Sequence, residues 1–145
     1  EKQQKLRCEI PEKPLLLHLD ADRMRQVIGN LLINASRHTP EGSHITLSLE
    51  EKAGEVLVTI ADDGEGIAKE ELPHIFDKFY RSSRNAASGE NSSVGGSGIG
   101  LALAKQYVEI QKGTISVTSS AEGTSFFIHL PDSLKIYIDQ GIKSI

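Results

Sequence analysis

The sequence predicts an α+β fold, a two-layer α/β sandwich in which a mixed β-sheet carries its helices on one face. Three observations lead there. Met24, Val27, Ile28, Leu31, Leu32 and Ala35 recur at helical spacing and form one apolar stripe. Ile45, Leu47 and Leu49 alternate with Thr46 and Ser48, and Val56 to Ile60 returns as a β-rich run. Finally, a second helical stretch is followed at once by two more strand-like runs, so helices and strands must share one core.

The chain has 145 residues, 38% hydrophobic and 25% charged, a composition suited to one domain with a sizeable core. Sixteen basic and 20 acidic side chains leave a formal charge of -4, which gives no overall positive field for nucleic acid or an anionic membrane. No apolar run approaches the roughly 20 residues that span a bilayer, and Glu1-Lys2-Gln3-Gln4 is no signal peptide. The single cysteine, Cys8, has no partner for an internal disulfide and sits in an alternating stretch, where it reads as a small buried apolar residue in a reducing, cytoplasmic setting. The chain has no leading Met and turns strand-like almost at once, as a piece of a longer protein would.

Taken in order, Leu6, Cys8 and Ile10 alternate, and Leu15 to Leu19 resumes an apolar run after Pro11 to Pro14, predicting two short strands. Asp20 or Asp22 is placed to cap the first helix, and Thr39-Pro40-Glu41-Gly42 to stop it. A turn around Gly54 joins the next two strands into a hairpin. A short helical segment is expected through Phe76 and Phe79, followed by Ser82 to Gly98, rich in Ser, Gly, Asn and Ala and expected to be mobile. The second helix runs from about Ile99 to Ile110 and ends at Lys112-Gly113. Strands at Thr114 to Thr118 and Thr124 to Leu130 turn at Glu122-Gly123. Residues 1–131 read as the domain and 132–145 as a tail in which Leu134, Ile136 and Ile138 alternate weakly, without a functional reading.

Three segments carry chemistry-bearing residues. Asn30 and Asn34 lie four apart on one side of the first helix, beside the apolar stripe, with Arg37 and His38 one turn on. An Asn oxygen is a hard neutral ligand suited to Mg²⁺, although on this helix alone the pair also suits the polar rim of a core. Asp62-Asp63-Gly64-Glu65-Gly66-Ile67 follows directly on a strand, so Asp62 stands where it could accept from an exocyclic amine, and the same residues alone also make an ordinary turn. Gly95-Gly96-Ser97-Gly98-Ile99-Gly100-Leu101 opens a helix, which makes either a phosphate seat or a linker running into that helix. No strand precedes these glycines and the Lys-Ser/Thr pair of a P-loop is missing, so the two commonest nucleotide motifs fail here.

In this order the segments resemble the histidine kinase branch of the superfamily that includes gyrase, Hsp90 and the mismatch-repair MutL proteins. Asn30 to Pro40 is similar to its asparagine box, Asp62 to Ile67 to its first glycine box, Phe76-Asp77-Lys78-Phe79-Tyr80-Arg81 to its phenylalanine box, and Gly96 to Leu101 to its second glycine box. Lys112 to Val117, Gly123-Thr124 and Phe126 to Pro131 resemble its closing strands, so the likeness covers roughly residues 6–131. The resemblance implies the Bergerat fold with ATP between the helices and a flexible lid at about 82–98. It makes Asn34 the Mg²⁺ ligand and Asn30 a support at the phosphate end. It assigns Asp62 to the adenine amine, Gly64 and Gly66 to the base pocket, and Gly96, Gly98 and Gly100 to the lid hinge and phosphates, and it counts His38, Ile67, Ile99 and Leu101 among the nucleotide-binding residues. Arg37 stands where Lys is usual and would face phosphate, and Arg81 would reach the γ-phosphate. His38 replaces a common aromatic and Gln111 a common His, which puts a ring contact from His38 in doubt.

The ATP-hydrolysing and serine-kinase members of the superfamily usually carry a general-base Glu where this chain has Asn30. An amide cannot take a proton from water or a serine hydroxyl, whereas an imidazole is already largely neutral and nucleophilic near neutral pH. The resemblance therefore implies transfer of the γ-phosphate to a histidine, with Asn34, Arg37 and Arg81 as catalytic residues. An ATPase or serine kinase of the same superfamily is the nearest alternative, and a non-catalytic nucleotide-binding module the second. His18, His38, His44, His74 and His129 all lack a helical His-Glu or His-Asp context, so the phosphoacceptor helix is expected upstream of Glu1. A phosphoacceptor domain of the same kinase and a response regulator are the implied partners. The full-length protein is implied to be a homodimer, with or without a membrane anchor, and this domain a cytoplasmic monomer.

Overall fold

In the computed structural model, the structure describes residues 4–11, 16–78, 100–131, 135–139 and 142–144. The elements in chain order are β1 (Lys5–Glu9), β2 (Leu16–Leu17), α1 (Ala21–Arg37), β3 (His44–Lys52), β4 (Glu55–Asp62), α2 (Gly100–Ile110), β5 (Thr114–Ser120), β6 (Gly123–Pro131), β7 (Lys135–Asp139) and β8 (Ile142–Ser144). A five-stranded sheet has the order β1-β3-β4-β6-β5. β1 is parallel to β3, with α1 as the crossover that a parallel pair requires, and the other neighbours are antiparallel hairpin or sheet partners. This is the mixed sheet with helices on one face that the sequence predicts.

The core follows from the two periods. Val56, Val58 and Ile60 of β4 and Phe126, Ile128 and Leu130 of β6 alternate toward the helices, where they meet Met24, Val27, Leu31 and Ala35 of α1 and Ala104 and Val108 of α2. Asp20 caps α1 by accepting from the Arg23 N–H at 3.2 Å. At the far end α2 closes in a Schellman arrangement. The Gly113 N–H bonds the Val108 carbonyl at 3.0 Å, the Lys112 N–H bonds the Glu109 carbonyl at 3.0 Å, and Lys112 itself carries φ 69°. A lysine held in the left-handed region is strained, so Lys112→Gly is expected to stabilise the chain by about 0.5–1 kcal/mol, after allowing for the freer unfolded glycine. Urea denaturation checks it; a lower midpoint with an unchanged slope is the contrary result.

The structure corrects two local expectations. Cys8 is exposed, as are Leu6 at 56% and Ile10 at 66%. Pairing of Leu6 with Ile45 and of Cys8 with Leu47 puts them on the helix-bearing face, but β1 is the edge strand and α1 lies over β3 and β4. Alternation signalled the strand without revealing that α1 lies over β3 and β4. The helical segment expected through Phe76 is only a 3₁₀ turn at Leu72–His74 with Pro73 in its first turn, after which Ile75 enters the core and Phe76 packs against it. The Phe79 end of that segment and the Ser82–Gly98 stretch lie outside the described residues. Beyond residue 131, β7 pairs antiparallel with β2 and with β8, forming a small second sheet.

Candidate functional site

The site is built from the flank of α1 beside its core stripe, together with the start of α2 and the end of β4. Asn30 Nδ2 donates to the Gly100 carbonyl at 3.1 Å, joining the asparagine segment to the second glycine segment. Asn34, half-buried, follows one turn later, and Arg37 and His38, both exposed, follow the next. His38 is the C-cap, its N–H bonded to the Asn34 carbonyl at 3.1 Å. Past the helix end, Thr39 is buried and lies against Gly64: a Cβ at Gly64 would stand 2.6 Å from Thr39 Cγ2 and 3.3 Å from the His38 carbonyl oxygen. The polar line along α1 thus begins at Gly100 and ends at the loop after β4.

Asp62, the last residue of β4, is half-buried, and its Oδ1 accepts the Gly64 N–H at 2.9 Å. Burial pushes its carboxyl above the ordinary carboxylate value, and the N–H groups of Gly64 and Thr124 only partly offset this; neighbouring Asp63 adds to the upward push. Asp63 behaves oppositely. It accepts from the His44 N–H at 2.8 Å and meets His44 Nδ1 at 2.9 Å, and these bonds hold its carboxyl below the ordinary value. Adjacent acids therefore have separate tasks: Asp63 ties the loop to the start of β3, and Asp62 faces inward.

The loop is then bolted to the β5–β6 turn. The Ile67 N–H donates to Ser119 Oγ at 2.6 Å, and Ser119 also meets Thr124 Oγ1 at 3.0 Å. Gly66, at φ 87°, passes so close to the Ser120 carbonyl that no side chain fits. Ile67 and Leu101 are half-buried and pack on the core, at opposite ends of the site. On the far side, Phe76 meets Phe126 edge-on with ring centroids 6.0 Å apart, anchoring the phenylalanine segment to β6. Gln111 has a task of its own: its Oε1 accepts the Asp20 N–H at 2.7 Å while Nε2 donates to the Tyr107 carbonyl at 3.2 Å, fastening the start of α1 to the end of α2.

Of the predicted site residues, Asn30, Asn34, Arg37, His38, Asp62, Gly64, Gly66, Ile67, Gly100 and Leu101 lie in described segments, whereas Arg81, Gly96, Gly98 and Ile99 lie outside them. Sequence reasoning missed Gln4, Ser119 and Thr124. Only the buried polar positions in otherwise alternating strands could have hinted at the last two. Among the described residues no group of three or more His, Cys, Asp or Glu is placed to hold a metal. A divalent ion resting on one Asn oxygen and on nucleotide phosphates does not require such a group.

This architecture defines the class first. The fold matches the mycobacterial sensor histidine kinase MprB with a TM-score of 0.74 at 28% identity, covering 89% of this chain and 84% of that one. It also matches the catalytic domain of histidine kinase ThkA with a TM-score of 0.74 at 24% identity, covering 90% of this chain and 81% of that one. It is the catalytic-domain fold of histidine kinases. In sequence, the chain is 34% identical to sensor histidine kinase WalK of Bacillus subtilis over 84% of this chain and 20% of the relative. It is 41% identical to sensor histidine kinase CusS of Escherichia coli K12 over 86% and 24% respectively, so it spans about a fifth to a quarter of these relatives. Residues 19–134 match the model of the histidine kinase-, DNA gyrase B- and HSP90-like ATPases, and the chain belongs to that family.

Proposed function

We propose that this chain is the ATP-binding catalytic domain of a two-component sensor histidine kinase, which holds Mg-ATP and gives its γ-phosphate to a histidine on a phosphoacceptor domain of the same kinase. One observation carries the reading: a continuous polar line on α1, bonded to Gly100 at one end and packed against Gly64 and Asp62 at the other. At a rise of about 1.5 Å per residue, Asn30 to His38 spans about 12 Å, enough to separate a base from its terminal phosphates. The buried carboxylate end suits the adenine amine, and the amide and glycine end suits phosphate.

Each residue then has a task. Asp62 accepts from the base, Gly64 and Gly66 let the backbone pass beside it, and Ile67 and Leu101 supply apolar wall. Asn30 supports the phosphate end, Asn34 offers the metal its oxygen, and the Arg37 and Arg81 guanidinium groups and the backbone N–H groups of Gly96, Gly98, Ile99 and Gly100 would meet phosphate charge. Mg²⁺, when bound, neutralises charge on the phosphates. The base-poor character of Asn30 favours a histidine acceptor over water, and hence a kinase over an ATPase. A response regulator would take the phosphoryl group next, in a homodimeric protein. Among the described residues no helix is long and apolar enough to cross a membrane. Residues 1–131 would form the catalytic unit, with 132–145 as an appendage.

The test is transfer of label from γ-labelled ATP, with Mg²⁺, to a separately supplied phosphoacceptor domain. Acid-labile, base-stable label on histidine is expected; phosphate release without labelled acceptor would make the chain an ATPase. A pH series adds a check on Asp62. Its folded pKa is raised, and the ionised carboxylate is the better acceptor for an amine, so ATP affinity should be complete above that raised value and fall as pH drops through it. Asp62→Asn should weaken ATP by about 1–3 kcal/mol and flatten that acid limb. Unchanged affinity in the variant removes Asp62 from the base pocket.

A further inference from the structure

We propose that Gln4 is a positioning residue for nucleotide binding, acting through the end of α1 and Thr39 on the loop that carries Asp62. This rests on the reading of Asp62 as the base acceptor. The Gln4 side-chain amide is part-buried and uses both of its ends. Its Nε2 donates to the Ser36 carbonyl at 2.9 Å, to the Thr39 carbonyl at 3.2 Å and to Thr39 Oγ1, and its Oε1 accepts the Ser36 hydroxyl at 2.7 Å. The two carbonyls bracket Arg37 and His38, so a single side chain spans the turn that presents both. They are also carbonyls past the reach of the intrahelical ladder, where a helix end needs outside donors. Gln4 supplies them from 32 and 35 residues away in sequence.

Thr39 passes the constraint on. Its hydroxyl donates to the Ala35 carbonyl at 2.8 Å, which fixes its rotamer, and its methyl lies over Gly64 where a Cβ would stand 2.6 Å away. Gly64 in turn donates to Asp62 Oδ1 at 2.9 Å. The line Gln4–Thr39–Gly64–Asp62 consists of two hydrogen-bonded pairs, Gln4 with Thr39 and Gly64 with Asp62, joined by the packing of the Thr39 methyl on Gly64. Its first member is followed at once by Lys5, whose N–H bonds the Ser43 carbonyl at 2.9 Å, so β1 enters the sheet at this point. A pull or twist on the chain before β1 therefore bears first on Gln4.

Binding of ATP and of purine riboside triphosphate, which lacks the 6-amino group, separates a positioning role from a structural one. Gln4→Ala should weaken ATP about tenfold and the analogue less than about twofold, because only ATP uses the Asp62 acceptor. Gln4→Glu keeps the size but loses the Nε2 donors and should behave alike; Thr39→Ser keeps the hydroxyl but loses the methyl and should show a smaller loss of the same kind. Urea midpoints of the free variants monitor folding. Equal weakening of both nucleotides, or of neither, overturns the proposal. Asp62→Asn is measured alongside. If it erases the preference for ATP while Gln4→Ala leaves it intact, Gln4 alone is misassigned; if it leaves the preference intact, the base reader is elsewhere and the proposal falls with it.

Discussion

Asn34→Ala is expected to lower phosphotransfer by about a hundredfold or more and to abolish the dependence of ATP affinity on Mg²⁺. The residue sits one turn after Asn30, which is bonded to Gly100, and one turn before His38, which caps the helix. It is half-buried on α1 beside the core stripe of Val27 and Leu31 but is not itself a core residue, so the substitution removes a polar end without opening a core cavity. Folding should be little changed, and a matching urea midpoint would show it. Asn34→Asp is the sharper variant, since it keeps an oxygen but adds a charge beside the phosphates and should also fail. Equal ATP affinity with and without Mg²⁺ in the parent chain, or Mg²⁺ dependence retained in both variants, would remove Asn34 from the metal.

The second large effect is on folding. Gly123→Val is expected to cost more than about 3 kcal/mol, enough to leave a marginally stable domain largely unfolded. Gly123 opens β6 at φ 143°, in the region that side chains rarely adopt, and a Cβ there would be driven into the carbonyl oxygen of Asp62 with the Cα of Asp63 3.0 Å away. The neighbouring pair Asp62 and Thr124 is in register, so relief would have to come by parting β6 from the end of β4. That is where the base acceptor sits, and any surviving folded fraction should bind ATP weakly. Thermal unfolding followed by circular dichroism checks this. A melting point within about 2 °C of the parent would show that the turn yields elsewhere.

Much was settled by local pattern. The stripe from Met24 to Ala35 needs only the helical period to be seen as a face, and α1 runs where that face and Asp20 place it. The strands β3 to β6 follow from alternation, and the turns at Gly54 and Gly123 from residue type. The order of the chemistry-bearing segments was equally legible, because each box is a run of adjacent residues. Asn30 and Asn34 share a side of a helix by spacing alone.

What only the tertiary structure decided involves groups distant in the chain. Alternation at Leu6, Cys8 and Ile10 marks a strand, but burial depends on what lies above it, and the edge position of β1 leaves these side chains exposed. The first glycine segment reads as a loop designed to approach a ligand, yet Gly66 is required by the Ser120 carbonyl 54 positions away. The opposite shifts of Asp62 and Asp63 have no local signal; burial raises the carboxyl of Asp62, and hydrogen bonds from His44 lower that of Asp63. Gln4 carries no signal at all, since a polar residue before a strand has no local pattern. Periodicity reports which face of an element is apolar, whereas cover, close approach and a proton's affinity depend on the neighbours that folding brings in.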